Sequence, residues 1–137
     1  MVSVRSGDGR QKRAFVRADV ALSFRYGAVR EAPRRFMPDE SGMVSGRTYN
    51  LSGGGFLFSG ERDYPVGQLL ELELLVPSPA PRPVRALGRI VREENGEDGR
   101  RYALRFEAID EYDRDRLVGY IFERLRMESI AAAREGA

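Results

Sequence analysis

The 137-residue sequence has no cysteine, no histidine and no tryptophan, and Lys12 is its one lysine. These absences exclude a disulfide framework, thiolate or imidazole zinc sites, a Ser-His-Asp triad and a cysteine nucleophile. No apolar run approaches the roughly 20 residues needed to cross a bilayer, and residues 1–12 are polar, without the apolar stretch of a signal peptide. A cytoplasmic location without membrane insertion is therefore predicted. Carboxylates occur in pairs at Asp39-Glu40, Glu93-Glu94 and Asp113/Asp115. Adjacent residues on a strand face opposite ways, and the pairs in loops or helix read as solvated surface, so no enzyme is predicted.

What the sequence does hold is enough for one hydrophobic core: 42% hydrophobic and 32% charged residues, in a length suited to a single domain. The net charge is only +2, but it is unevenly spread. Residues 1–35 carry nine basic side chains against Asp8, Asp19 and Glu31, an excess of +6, which leaves −4 for the remainder. Of the 23 basic residues, 22 are arginine, the side chain suited to bidentate contact with phosphate or guanine and to stacking on flat rings. An arginine-rich composition accounts for the number and not for its gathering at one end. The N-terminal excess points to an anion-binding segment.

Residues 1–12 show glycines, charges and no periodicity, and read as a mobile arm. Val20, Leu22 and Phe24 then alternate with Ala21, Ser23 and Arg25 in a strand that Gly27 is expected to close. Residues 31–42, with Pro33, Pro38 and Gly42, read as a long loop. Further strands are predicted over 43–51, 55–59, 68–76, 85–94 and 101–107. The fourth strand in chain order, where Leu70, Leu72 and Leu74 alternate with Glu71 and Glu73, is the clearest. Asn95-Gly96 and Asp98-Gly99 mark a hairpin between the last two. Six strands at this spacing predict a small antiparallel barrel. Leu117, Val118, Ile121, Phe122 and Leu125 then form one stripe of a helix, with Asp110 as N-cap and Glu111 and Asp113 in its first turn. The stripe fades after Leu125, so residues 127–137 read as a helical extension or a frayed tail, and the protein as a monomer or dimer.

Two segments carry chemistry. In Arg13-Ala14-Phe15-Val16-Arg17, two arginines four apart stand where the arm meets the first strand, a spacing that can aim both guanidiniums at one ligand or simply reflect a solvated charge run. In Asn50-Leu51-Ser52-Gly53-Gly54-Gly55, three glycines between strands indicate positive φ or close approach of another group. Asn50 and Ser52, two apart, offer an amide and a hydroxyl from the same side of a strand end. They suit the edge of a base, or alternatively the backbone of their own turn.

In this order, followed by this strand pattern and helix, the segments resemble the PilZ domain family, bacterial receptors for the second messenger cyclic di-GMP. Its signature is R-x-x-x-R followed by D/N-x-S-x-x-G. Arg13 and Arg17 match the first motif; Asn50, Ser52 and Gly55 match the second, with Asn50 where Asp is frequent. The resemblance covers residues 10–126 and implies a six-stranded antiparallel Greek-key β-barrel with a C-terminal helix, cyclic di-GMP lying across one face. It places Arg13 and Arg17 on phosphate, Hoogsteen edge and purine face, and Asn50 and Ser52 on the guanine edge. Gly55 leaves room for the turn, Arg92 forms a wall, and Lys12 modulates ligand number. The chemistry agrees: guanine O6 and N7 match an arginine fork, each good pair being worth about 1–3 kcal/mol of discrimination. The arm to Arg17 is expected to fold across the ligand, and an effector protein to read the changed surface, in control of motility, exopolysaccharide or virulence. No cofactor is expected.

Two other readings compete with this one. A nucleotide-independent adaptor would work by protein contacts alone. A nucleic-acid-binding barrel would need Phe15, Phe24, Phe56 and Phe58 as stacking platforms. Those rings read instead as barrel core, and the acidic balance after residue 35 is poor for tracking an extended phosphate backbone.

Overall fold

The computed structural model describes residues 15–32, 35–38, 42–60, 62–77, 82–97 and 99–135. The elements run β1 (Arg17–Ala18), β2 (Ser23–Ala32), β3 (Arg35–Pro38), β4 (Val44–Ser52), β5 (Gly55–Ser59), β6 (Leu69–Leu74), β7 (Val84–Gly96), β8 (Gly99–Ile109) and α1 (Glu111–Glu135). Six of the strands close on themselves in the order β2-β4-β5-β8-β7-β6, because β2 pairs with both β4 and β6. Every pairing is antiparallel. Strand β5 is followed in the chain by β6 but lies between β4 and β8 in the ring, so their connection passes over neighbours in the Greek-key manner. The two remaining strands are short additions, β1 beside Leu51–Ser52 of β4 and β3 folded back on the end of β2.

Two expectations about the first third of the chain are corrected. Gly27 does not close the first strand, which continues to Ala32. A side chain there would stand 3.2 Å from both the Gly42 carbonyl and Met43 Cγ, a tight fit that favours glycine in mid-strand. The predicted loop 31–42 also contains β3, whose Pro38 pairs with Val29 at the sheet margin, where a residue lacking an N–H is tolerated. The alternation of Ala18, Val20, Leu22, Phe24 and Tyr26 into the core starts ahead of β2. Thr48 makes that possible. Its buried hydroxyl accepts from the Leu22 N–H at 2.9 Å and donates to the Val20 carbonyl at 2.5 Å, fixing the strand-like approach before ladder pairing begins.

The barrel interior is aromatic. Phe24 stacks on Tyr26 at 5.1 Å and meets Phe56 and Phe58 edge-on at 4.8 and 5.4 Å. Tyr102 spans the far side, its hydroxyl accepting from the Tyr64 N–H at 3.0 Å. Helix α1 begins as its sequence predicts: Asp110 Oδ1 accepts from the N–H groups of Tyr112 (2.9 Å) and Asp113 (3.3 Å). Leu117 and Ile121 are buried in the barrel core, while Phe122, Met127 and Ile130 are exposed, so the helix docks by its first half and projects by its second. No helix is long and apolar enough to cross a membrane among the described residues.

Candidate ligand groove

The β4–β5 hairpin is tight because its glycines are in close contact with the rest of the protein. At Gly55 a Cβ would collide with the Leu104 backbone carbonyl on β8, so no side chain fits. At Gly53 it would lie 2.5 Å from Phe15 Cδ1 and 2.8 Å from Val118 Cγ2. Phe15 and α1 therefore fill the space that any other residue would need. Ser52 serves the turn directly, accepting from the Gly54 N–H at 3.1 Å and donating to the Gly55 carbonyl at 3.2 Å. One lone pair of its hydroxyl remains for another donor. Asn50, beside a register shift in the β4–β5 ladder, makes no side-chain hydrogen bond with a described residue. The two alternatives for this segment thus divide: Ser52 satisfies its own backbone, and the Asn50 amide has no partner among the described residues.

This hairpin forms one wall of a groove of about 650 Å³, within the roughly 300–1,000 Å³ common for small-molecule sites. Arg17, Asn50, Ser52, Gly55 and Arg92, singled out in the sequence, all line it. Lys12 and Arg13, with the arm 1–12, lie outside the described residues. Arg105 and Arg114 also reach the groove, together with Phe15 and Val91, and none of these four was assigned to the site from sequence. Phe15 corrects a further expectation. It is 38% exposed and part of the groove wall, whereas Phe24, Phe56 and Phe58 are core as predicted.

The groove is cationic: among the described residues, four arginines line it and no carboxylate does. They are differently engaged. Arg92 is held at the rim by Glu94, with Nε and Nη2 at 3.1 and 2.9 Å from Oε2. Arg114, on the first turn of α1, donates from Nη1 to the Gly53 carbonyl at 3.0 Å and lies 5.1 Å from the Phe15 ring centroid. Arg17 and Arg105 have no hydrogen bond or ion pair with a described residue. The acid near Arg105 is already committed. Glu107 takes both Nε and Nη2 of Arg89, at 2.6 and 2.7 Å, and that hydrogen bonding holds its carboxyl below the usual range. Among the described residues, two guanidiniums without an ion pair, an amide without a hydrogen bond and exposed ring and aliphatic surface suit a flat, hydrogen-bonding anion.

The fold and groove together define a small β-barrel binding domain with an arginine-lined face. The PilZ domain family model matches residues 11–123, and the chain belongs to that family. Among solved structures, the chain is similar to the Bacillus subtilis inhibitor of motility MotI/DgrA, with TM-score 0.67 and 22% identity over 84% of this chain and 51% of that one. It thus spans about half the length of that protein. It is also similar to the PilZ domain of Escherichia coli YcgR with c-di-GMP, with TM-score 0.58 and 17% identity over 90% and 98%. The PilZ domain of CeSA from a cellulose-synthesizing bacterium gives TM-score 0.53 and 16% identity over 79% and 96%. No curated protein sequence matches the chain.

Proposed function

We propose that the protein is a cyclic di-GMP receptor whose message passes to an effector protein, in the manner of a motility or secretion regulator. The observation that carries this reading is the meeting of Arg17, Asn50, Ser52 and Gly55 with Arg92 and Arg105 in one groove that no carboxylate lines among the described residues. A cyclic dinucleotide presents two phosphate charges and two guanine edges, and each finds a counterpart. Guanidiniums pair with phosphate or with O6 and N7, the Asn50 amide reads a base edge, and the remaining lone pair of Ser52 accepts an exocyclic N–H. Arg13 completes the R-x-x-x-R pair, and the residues ahead of Phe15 close over the bound nucleotide. Closure costs about 1–2 kcal/mol of backbone entropy per residue ordered, which the arginine contacts must offset. The cytoplasm is where such a messenger is met.

Calorimetric titration with cyclic di-GMP, GTP and a short single-stranded oligonucleotide tests this reading. Micromolar or tighter binding of cyclic di-GMP alone, weakened about 10–100-fold by Arg13→Ala and by Arg17→Ala, is the expected result. Heat from none of the three would turn the reading to an adaptor acting by protein contacts. Heat from the oligonucleotide would turn it to a nucleic-acid-binding barrel.

A further inference from the structure

We infer that Arg114 is a positioning residue through which occupancy of the groove is communicated to helix α1; the inference rests on the nucleotide reading above. Three parts of the chain that are distant in sequence converge on this side chain. Its Nη1 holds the Gly53 carbonyl of the β4–β5 hairpin at 3.0 Å, and its guanidinium lies 5.1 Å from the Phe15 ring centroid. Its backbone belongs to the first turns of α1, where its N–H donates to the Asp110 carbonyl at 2.9 Å. One turn on, Val118 fills the other side of the space above Gly53, against which Phe15 is also seated. Phe15 is the middle residue of the R-x-x-x-R segment, flanked two positions away on each side by Arg13 and Arg17.

The geometry has a mechanical consequence. A ligand that takes up the guanidinium of Arg17 fixes the backbone two residues from Phe15, and so biases where the ring lies. The ring is one of three anchors of Arg114, beside the turn that carries Asn50 and Ser52 and Glu111 of the helix itself, whose Oε1 lies 3.4 Å from Nε. Both motifs therefore act on one side chain, and that side chain belongs to the helix. Arginine suits this role because its planar fork can lie against a ring while donating in its plane, which a lysine ammonium cannot do.

Hydrogen exchange and calorimetry on the wild-type chain, Arg114→Met, Arg114→Lys and Phe15→Leu test the inference, with Arg126→Met, on the exposed part of α1, as a control. In the free protein, Arg114→Met is expected to speed exchange at residues 15–18 several-fold. With cyclic di-GMP, the wild type should slow exchange over residues 112–121, and Arg114→Met should not. Arg114→Met and Phe15→Leu should each weaken binding about ten-fold and together little more, since one acts through the other. Arg114→Lys, with its charge intact, should fail to restore the helix response.

Unchanged exchange at residues 15–18 in Arg114→Met would overturn the inference, as would a helix response that survives the substitution or is restored by lysine. A wild type that binds cyclic di-GMP with no helix response would overturn the coupling and leave the receptor reading standing. A wild type that gives no binding heat would overturn both. A loss of melting temperature in Arg114→Met too large for a folded chain would shift the decision to Phe15→Leu, judged by the same two exchange readouts.

Discussion

Arginines line two outer faces of the barrel, and the faces differ in what the guanidiniums touch. On the β2–β6–β7 face, Glu73 lies between Arg25 at 3.2 Å and Arg85 at 3.4 Å. On the groove face, Arg17 and Arg105 have no carboxylate among the lining residues. A count of arginines would not separate the two. The missing counter-charge does, because a cation already paired with an acid must give that pair up before it can bind an anion. The comparison also explains how a chain of small net charge can present a strongly cationic site. The acids of the described residues line other surfaces.

The comparison breaks most completely if the groove wall itself is lost. Gly55→Val, forced against the Leu104 carbonyl, should destabilise the protein by about 3 kcal/mol and abolish nucleotide binding. A melting curve within about 1 kcal/mol of wild type would refute the packing argument. Next in size is a test across the two faces. Arg17→Ala should weaken cyclic di-GMP binding about 10–100-fold with stability changed by less than about 0.5 kcal/mol, and Arg85→Ala should leave both nearly unchanged. Equal losses of affinity in calorimetry would show that only the overall field matters. Ala103→Glu sharpens the point by giving the groove the counter-charge it lacks. Binding should fall about ten-fold while the barrel melts as before, since Ala103 lines the groove opposite Arg92 in the β7–β8 register.

The smallest effect concerns the interior. Burial, helped by Tyr26 and opposed by Arg62, pushes the Tyr64 phenol above its ordinary value of 10.0. The stability this group contributes is fully present below pH 10 and is lost as pH rises towards its folded-state value. Tyr64→Phe should flatten the alkaline limb of a stability curve while leaving nucleotide affinity at neutral pH untouched. An unchanged alkaline limb in thermal melts would count against burial as the cause.

Much of this molecule was legible in its sequence where one local pattern had one physical cause. The Leu70-Leu72-Leu74 alternation gave β6, and Asp110 gave the start of α1, because a period and a cap act over a few residues. Gly27 and Pro38 misled for the opposite reason. Both residue types break strands in general, and only contact with Met43, or a place at the sheet margin, makes them suitable here. In the site, the residues of the two motifs were readable because their types and spacing are restrictive. Arg105 was not, since its place beside Gly55 and Arg89 depends on ladder registers that shift at 87/88 and 90/92. Arg114 could not be distinguished from any other charged side chain on a helix until the helix was seen to lie over Gly53. Thr48 was silent for the same reason, its partners lying 26 and 28 residues away in the chain.

One feature of α1 bears on what another protein could detect. Its 25 residues make a rod of about 37 Å, clamped near one end by Leu117 and Ile121 and bare beyond Leu125. Such a rod is a lever arm. A tilt of about 5° at the clamp sweeps the free tip, about 21 Å beyond Ile121, through about 2 Å, comparable to the hydrogen-to-acceptor distance of a hydrogen bond.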